Sequence, residues 1–137
     1  MTKSDELKLA RVKTFQGIPE YLLEQVKDRN WEPDKLKQWG ELVANDPFQF
    51  IYLMVTPQHE VKGFVWASAA PLVNGIFINV ISVDSEYQDH IILKKVTGFF
   101  KSMLEEMGLK HLYAITGRPK AAERKGWKRM GMEMMEV

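Results

Sequence analysis

The sequence predicts an α/β (α+β) domain: a mixed, mostly antiparallel sheet with a central parallel strand pair and helices on both faces. Three observations lead there. Segments rich in aromatic and β-branched residues gather in mid-chain, between residues 48 and 83. Residues 76–83, IFINVISV, are apolar on both sides of a strand and so demand cover on both sides. A helix-length segment, residues 89–108, then separates this strand from the next, residues 109–116, which makes the two a parallel βαβ unit.

The elements follow in order. Residues 6–15, ELKLARVKTF, alternate weakly and read as a first strand. Residues 17–30 read as a helix with Pro19 in its first turn and Tyr21, Leu22, Leu23 and Val26 on its apolar face. A second helix, residues 32–46, carries Leu36, Trp39, Leu42 and Val43 on its stripe and ends at Asp46-Pro47. Strands at 48–56 and 61–70 flank a turn at 57–60, and Asn74-Gly75 signals a tight hairpin turn before strand 76–83. In the long helix, Ile92, Val96, Phe99, Met103 and Met107 recur at helical spacing, and Phe100 and Leu104 widen the stripe. Phe99 and Met103, in the middle of that stripe, are expected to be deeply buried. Asp89 can cap the helix and Gly108 fits just past its end. Residues 109–116 read as a strand, 119–130 as a helix and 132–137 as a last strand.

The 137 residues suit a single domain, 1–137, long enough to bury a core. A formal charge of +1 gives no global drive towards nucleic acid or an anionic membrane. Cysteine is absent, which removes disulfides, thiolate metal sites and a Cys nucleophile. No apolar signal core opens the chain, and no apolar run approaches the roughly 20 residues of a membrane span. His59, His90 and His111 show no metal-ligand spacing. Phosphate loops of the Walker type and nucleophile elbows are also missing.

Two stretches carry a family likeness. In VISVDSEYQDHIILKKVTGFF, a strand ending at Val83 passes through a short loop containing Gln88 into the long helix. In ITGRPKAAERKGWKRMGMEMMEV, a Gly-Arg-Pro, Gly-Trp, Lys-Arg rhythm closes the chain. With the element order, these make nearly the whole chain resemble the GNAT superfamily of N-acetyltransferases, and the ending is most similar to short phage-encoded GNAT-like proteins. The resemblance implies an acyl-CoA-dependent N-acyltransferase, acetyl-CoA as acyl donor and an amine as acceptor. It also implies a cytoplasmic location, in a host cell or a virion if the protein is phage-encoded. Backbone groups of Ile81 and Val83 would line the pantetheine arm. Gln88, Asp89, His90, Ile91, Ile92 and Leu93 would surround the pyrophosphate at the helix start, with Arg118, Lys94 and Lys95 as nearby cations.

The family loop has the form Q/R-x-x-G-x-G/A, and its glycine positions hold Ile91 and Leu93 here. Their side chains stand where phosphate oxygens would come, and Asp89 adds negative charge, so the loop is degenerate. Trp127 takes the place of the family's frequent Tyr; it donates a hydrogen bond but does not titrate. Asn79 cannot act as a base. Tyr87, Tyr113, His90 and His111 have no distinguishing spacing, so no catalytic residue is assigned. Trp127 is expected to pack inward. Lys120, Arg124 and Lys128 fall at i, i+4 steps on one helical face. A solvated face, the cofactor's phosphates, and an anionic partner such as nucleic acid or an acidic protein all remain open for it. The rival to the enzyme is a catalytically silent GNAT-like binding or virion-associated module.

Overall fold

The computed structural model describes residues 3–26, 32–88, 90–114, 119–124, 126–128, 130 and 135–137. Five strands form one sheet in chain order: β1 (Lys8–Arg11), β2 (Gln49–Val55), β3 (Val61–Ala70), β4 (Gly75–Val83) and β5 (His111–Ala114). The first three pairings are antiparallel and β4–β5 is parallel. This is the mixed sheet the sequence predicts, with β4 hydrogen-bonded to a strand on either side. The helices are α1 (Glu20–Glu24), α2 (Pro33–Val43), α3 (His90–Met107) and α4 (Pro119–Arg124).

The two-sided apolarity of β4 has a direct cause. Ile76, Ile78 and Val83 point to one face, where Ile92, Val96, Phe100 and Leu104 of α3 meet Tyr52, Met54 and Val65. Val80 points to the other, where Ile51, Leu53 and Phe64 lie under Phe15, Leu22, Leu23, Val26 and Leu36. The sheet is thus the middle layer of three.

Both long helices are rotated from the stripe expected of them. In α3 the sheet takes the i, i+4 row Ile92, Val96, Phe100 and Leu104, all at most 5% exposed. Phe99 and Met103 are therefore only half-buried, and Met107 is 39% exposed. Phe99 still packs its ring edge-on to Tyr52, with centroids 4.8 Å apart. In α2, Pro33, Leu36 and Gly40 face inward, whereas Trp39 and Leu42 are 57% and 67% exposed. The reason is Gly40, which leaves a notch filled by the Phe15 ring, whose Cε2 lies 2.7 Å from where a Cβ would stand. In α1, Leu22 and Leu23 are buried but Tyr21 is exposed, and Pro19 is the residue before the helix, not in its first turn.

The β3–β4 connection is longer than a two-residue hairpin. A 3₁₀ turn, Pro71–Val73, leads to Asn74 in the left-handed conformation at φ 57°, and Gly75 already pairs with Ala70. Gly75 provides room: a Cβ there would stand 2.6 Å from Cε2 of Tyr113 on the neighbouring strand. Gly108, at φ +70°, closes α3 as expected. The terminal helix is shorter than expected, since α4 stops at Arg124 and Gly126 follows at φ +94°. Of the expected last strand, residues 132–134 lie outside the described residues, and 135–137 belong to no strand.

Candidate functional site at the parallel strand pair

Open α/β sheets bind ligands beyond the C-terminal ends of parallel strands, where neighbouring strands part. Here β4 pairs with β5 over residues 75–78, matched to 111–114, and β4 then continues to Val83. Its other partner shows a break at the same level. Trp66 pairs with Val80 and Ala67 with Ile78, so Asn79 is an extra residue, a β-bulge that bends the strand. The bulge directly follows Ile78–Ala114, the last β4–β5 pair among the described residues. Ile81 and Val83 lie just beyond, with their side chains in the α3-side core.

The link from β4 to α3 is a 3₁₀ turn, Ser85–Tyr87, in which Asp84 accepts the Glu86 N–H at 2.9 Å. Gln88 folds back: its Nε2 donates to the Val83 carbonyl at 2.7 Å. Ile92 is a core residue at 2% exposure, Ile91 is half-buried and Leu93 is 37% exposed. Asp89 and Arg118 lie outside the described residues, as does the side chain of His90. Lys95 is turned to the N-terminal 3₁₀ turn, Lys3–Glu6, where its Nζ donates to the Asp5 carbonyl at 2.9 Å. Lys94 stays exposed. Because β4 and β5 are parallel, α4 begins at the same end of the sheet as α3, only a few residues after β5. Its Lys120 and Arg124 are exposed. Lys128 lies beyond α4, so the expected three-residue basic face stops at Arg124. Trp127 is half-buried against the α3-side core, as expected.

The opposite face of the sheet carries a feature that sequence reasoning missed. Gln49, Ser68, Phe77 and Tyr113 stand in register across β2, β3, β4 and β5. All are half-buried, beside the part of the face that α1 and α2 cover. Phe77 and Tyr113 stack, with centroids 5.1 Å apart and ring planes at 28°, and the Tyr113 hydroxyl donates to the Val73 carbonyl at 3.1 Å. A hydrogen-bonded chain crosses the row. Trp66 Nε1 and Ser68 Oγ both donate to Gln49 Oε1, at 2.7 and 2.8 Å, and Asn79 Nδ2 donates to Ser68 Oγ at 2.6 Å. The available signal was a polar residue, Gln49, Ser68 or Asn79, within each of three largely apolar strands. Only pairing places them together.

Among the described residues, proton handling near the site is sparse. Tyr21 donates to Asp84 Oδ2 at 2.7 Å. Burial, and then the Asp84 carboxylate, push its phenol up to about 12, so it holds its proton too tightly to serve as a ready acid near neutrality. Among the described residues, no His, Asp and Glu side chains gather as a metal-ligand set. No described helix is long and apolar enough to cross a membrane. A shallow groove of about 540 Å³ lies elsewhere, between the N-terminal turn with β1 and the flank of α3 at Lys95, Gly98 and Phe99. It is open to solvent.

No family model and no curated protein matches the sequence. Solved structures do match in fold. One is described as a possible acetyltransferase from Clostridium difficile 630, with 12% identity, a TM-score of 0.71 and 96% of each chain covered. A second is the aminoglycoside 6'-N-acetyltransferase AAC(6')-Ih from Acinetobacter baumannii, with 10% identity and a TM-score of 0.72 over 96% of this chain and 97% of that one. A third is the spermidine/spermine N-acetyltransferase SpeG from Vibrio cholerae, with 15% identity and a TM-score of 0.67 over 93% of this chain and 82% of that one. At such identities the likeness is one of fold, and the fold is that of the GNAT acetyltransferases, as the sequence predicts.

Proposed function

We propose that this chain is an acyl-CoA-dependent N-acyltransferase that moves an acetyl group to an amine. The observation that carries the reading is the Asn79 bulge in β4, directly after the last described β4–β5 pair, Ile78–Ala114, in a fold shared with proteins named acetyltransferases. Beyond the bulge, the backbone at Ile81 and Val83 would run beside a narrow pantetheine arm. The phosphate side differs from the family pattern, since Ile91 and Leu93 hold the glycine positions. There the counter-charge falls to Lys120 and Arg124, and Arg118 precedes them in sequence. Bound acetyl-CoA supplies a thioester: the amine nitrogen forms a bond to the acyl carbon, the C–S bond breaks, and sulfur leaves as the thiol with the proton the nitrogen loses. Asn79 and its neighbours orient the acceptor and do not titrate, so the amine must arrive able to lose its proton to water.

A silent binding or virion-associated module is the second reading. It is favoured by Gln88, whose side chain is spent on the Val83 carbonyl, and by the two glycine replacements. Thermal-shift and calorimetric titrations with acetyl-CoA and CoA separate the two. The enzyme reading expects saturable binding that weakens with salt; no binding by acetyl-CoA favours the module. The Ile91→Gly/Leu93→Gly variant should bind CoA more tightly if those side chains narrow the phosphate cradle. It should lose about 1 kcal/mol per site from helix propensity alone.

A further inference from the structure

We infer that Asn79 presents its carbonyl oxygen as the seat of the acceptor nitrogen, in a subsite for a primary amine carried on an aromatic or flat apolar body. This rests on the reading above, which places the acyl donor at the same bulge.

An indole N–H can only donate. Trp66 Nε1 lies 2.7 Å from Gln49, so the Gln49 atom facing it is the carbonyl Oε1. That oxygen can only accept, so the Ser68 hydroxyl, 2.8 Å away, must spend its one proton on it. Ser68 Oγ is then an acceptor towards its remaining neighbour, and the Asn79 atom 2.6 Å from it must be the donor Nδ2. The amide orientation of Asn79, usually a matter of assignment, is fixed by an indole two side chains away. That leaves Oδ1 as the end of the amide turned away from Ser68. Among the described residues no hydrogen bond engages that oxygen, and it is not sealed from solvent. A carbonyl oxygen is an acceptor without a proton, which suits the N–H of an amine or ammonium and does not suit a lone pair.

The surroundings set the class of amine. Phe77 and Tyr113 form a stacked aromatic shelf in the same row as Ser68. Gln49, Trp66, Ser68, Phe77, Asn79 and Tyr113 carry no formal charge in their ordinary states, so the row offers nothing to the remote cations of a polyamine. It offers aromatic faces to a flat apolar body. Asn79 is a positioning residue here: it aligns the nitrogen and exchanges no proton. Trp66, Gln49 and Ser68 act through it.

The test uses the full chain, labelled with ¹⁵N. The Trp66 indole signal is identified by its loss in Trp66→Phe, and the Asn79 side-chain amide signals by their loss in Asn79→Leu. Three probes are titrated: phenethylamine; trimethylphenethylammonium, which keeps the ring and charge but has no N–H; and spermidine, which has amines but no ring. Phenethylamine should shift both sets of signals saturably, at least tenfold tighter than either other probe. In Asn79→Leu and in the milder Ser68→Ala, the preference for phenethylamine over its trimethylated form should collapse while ring-dependent binding persists. Equal affinities for those two probes would overturn the role of Asn79, and spermidine binding as tightly as phenethylamine would overturn the aromatic class. Acetyl-CoA binding is measured on the same sample. Amine binding without acetyl-CoA binding would support the subsite and sink the transferase reading; acetyl-CoA binding with no response to phenethylamine would do the reverse.

Discussion

Replacing Gly40 by Ala makes the packing of α2 testable against its own intrinsic preference. Alanine is the better helix former by about 1 kcal/mol, so propensity alone favours the change. The added Cβ, however, would stand 2.7 Å from Cε2 and Cγ of Phe15, where ordinary carbon contacts begin near about 3.5 Å. The ring has little freedom to retreat. It is 2% exposed, meets Phe64 and Trp66 edge-on at 5.7 and 5.9 Å, and its own backbone N–H donates to Glu41 Oε1 on α2. Overpacking costs about 1–3 kcal/mol; with three Phe15 ring carbons at or within 2.7 Å of the new Cβ the upper part of that range applies, so after the propensity gain Gly40→Ala should lose about 1–2 kcal/mol. Gly98→Ala supplies the control. It is the same change in α3, but at an exposed position with nothing within 4 Å of the new Cβ, and it should gain up to about 1 kcal/mol. Urea unfolding followed by tryptophan fluorescence should move the midpoint down for one variant and up for the other, at an unchanged slope. A Gly40→Ala protein as stable as the parent would refute the notch and the facing of α2 derived from it.

Further expectations concern both faces of the sheet. Phe100→Ala should cost about 3–5 kcal/mol, and Phe99→Ala, half-buried, only about 1–2 kcal/mol; equal losses in urea would show that the sheet-facing row of α3 is misplaced. Removing the hydroxyl in Ser82→Ala takes a 2.7 Å hydrogen bond from the Leu22 carbonyl and should lose about 1 kcal/mol, read by the same unfolding curves. The Tyr21 phenol is raised from 10.0 to about 12. Its folded value exceeds its unfolded one, so its contribution to stability is whole below pH 10 and fades as pH rises towards 12. In a difference spectrum against Tyr21→Phe, phenolate absorbance rising near pH 10 would contradict the Asp84 contact. Lys120→Gln with Arg124→Gln should weaken CoA binding and flatten its salt dependence; unchanged titrations would remove α4 from the phosphate side.

How much of this was legible depends on the range of the interactions. The long helix, the parallel crossover and the sequence of elements as far as β5 followed from periodicity and crossover length, both local in sequence. Rotation of α2 and α3 did not. Each carries more apolar positions than the sheet can cover, and the choice between Phe99 and Phe100, or between Trp39 and Gly40, is made by the partner surface. The site divides the same way. Ile81 and Val83 could be placed at a strand end from the pattern alone. The bond from Gln88 to the Val83 carbonyl, and the chain from Trp66 through Gln49 and Ser68 to Asn79, depend on pairing register across three strands, which single-strand patterns do not encode.

We propose that an acyl-CoA enters at the Asn79 bulge of β4, beside β5. Following backbone amide signals of the ¹⁵N-labelled protein while acetyl-CoA is added tests it most directly. The account predicts saturable shifts concentrated in residues 79–83 and 90–93. An unchanged spectrum, or shifts gathered instead around the groove between β1 and α3, would contradict it.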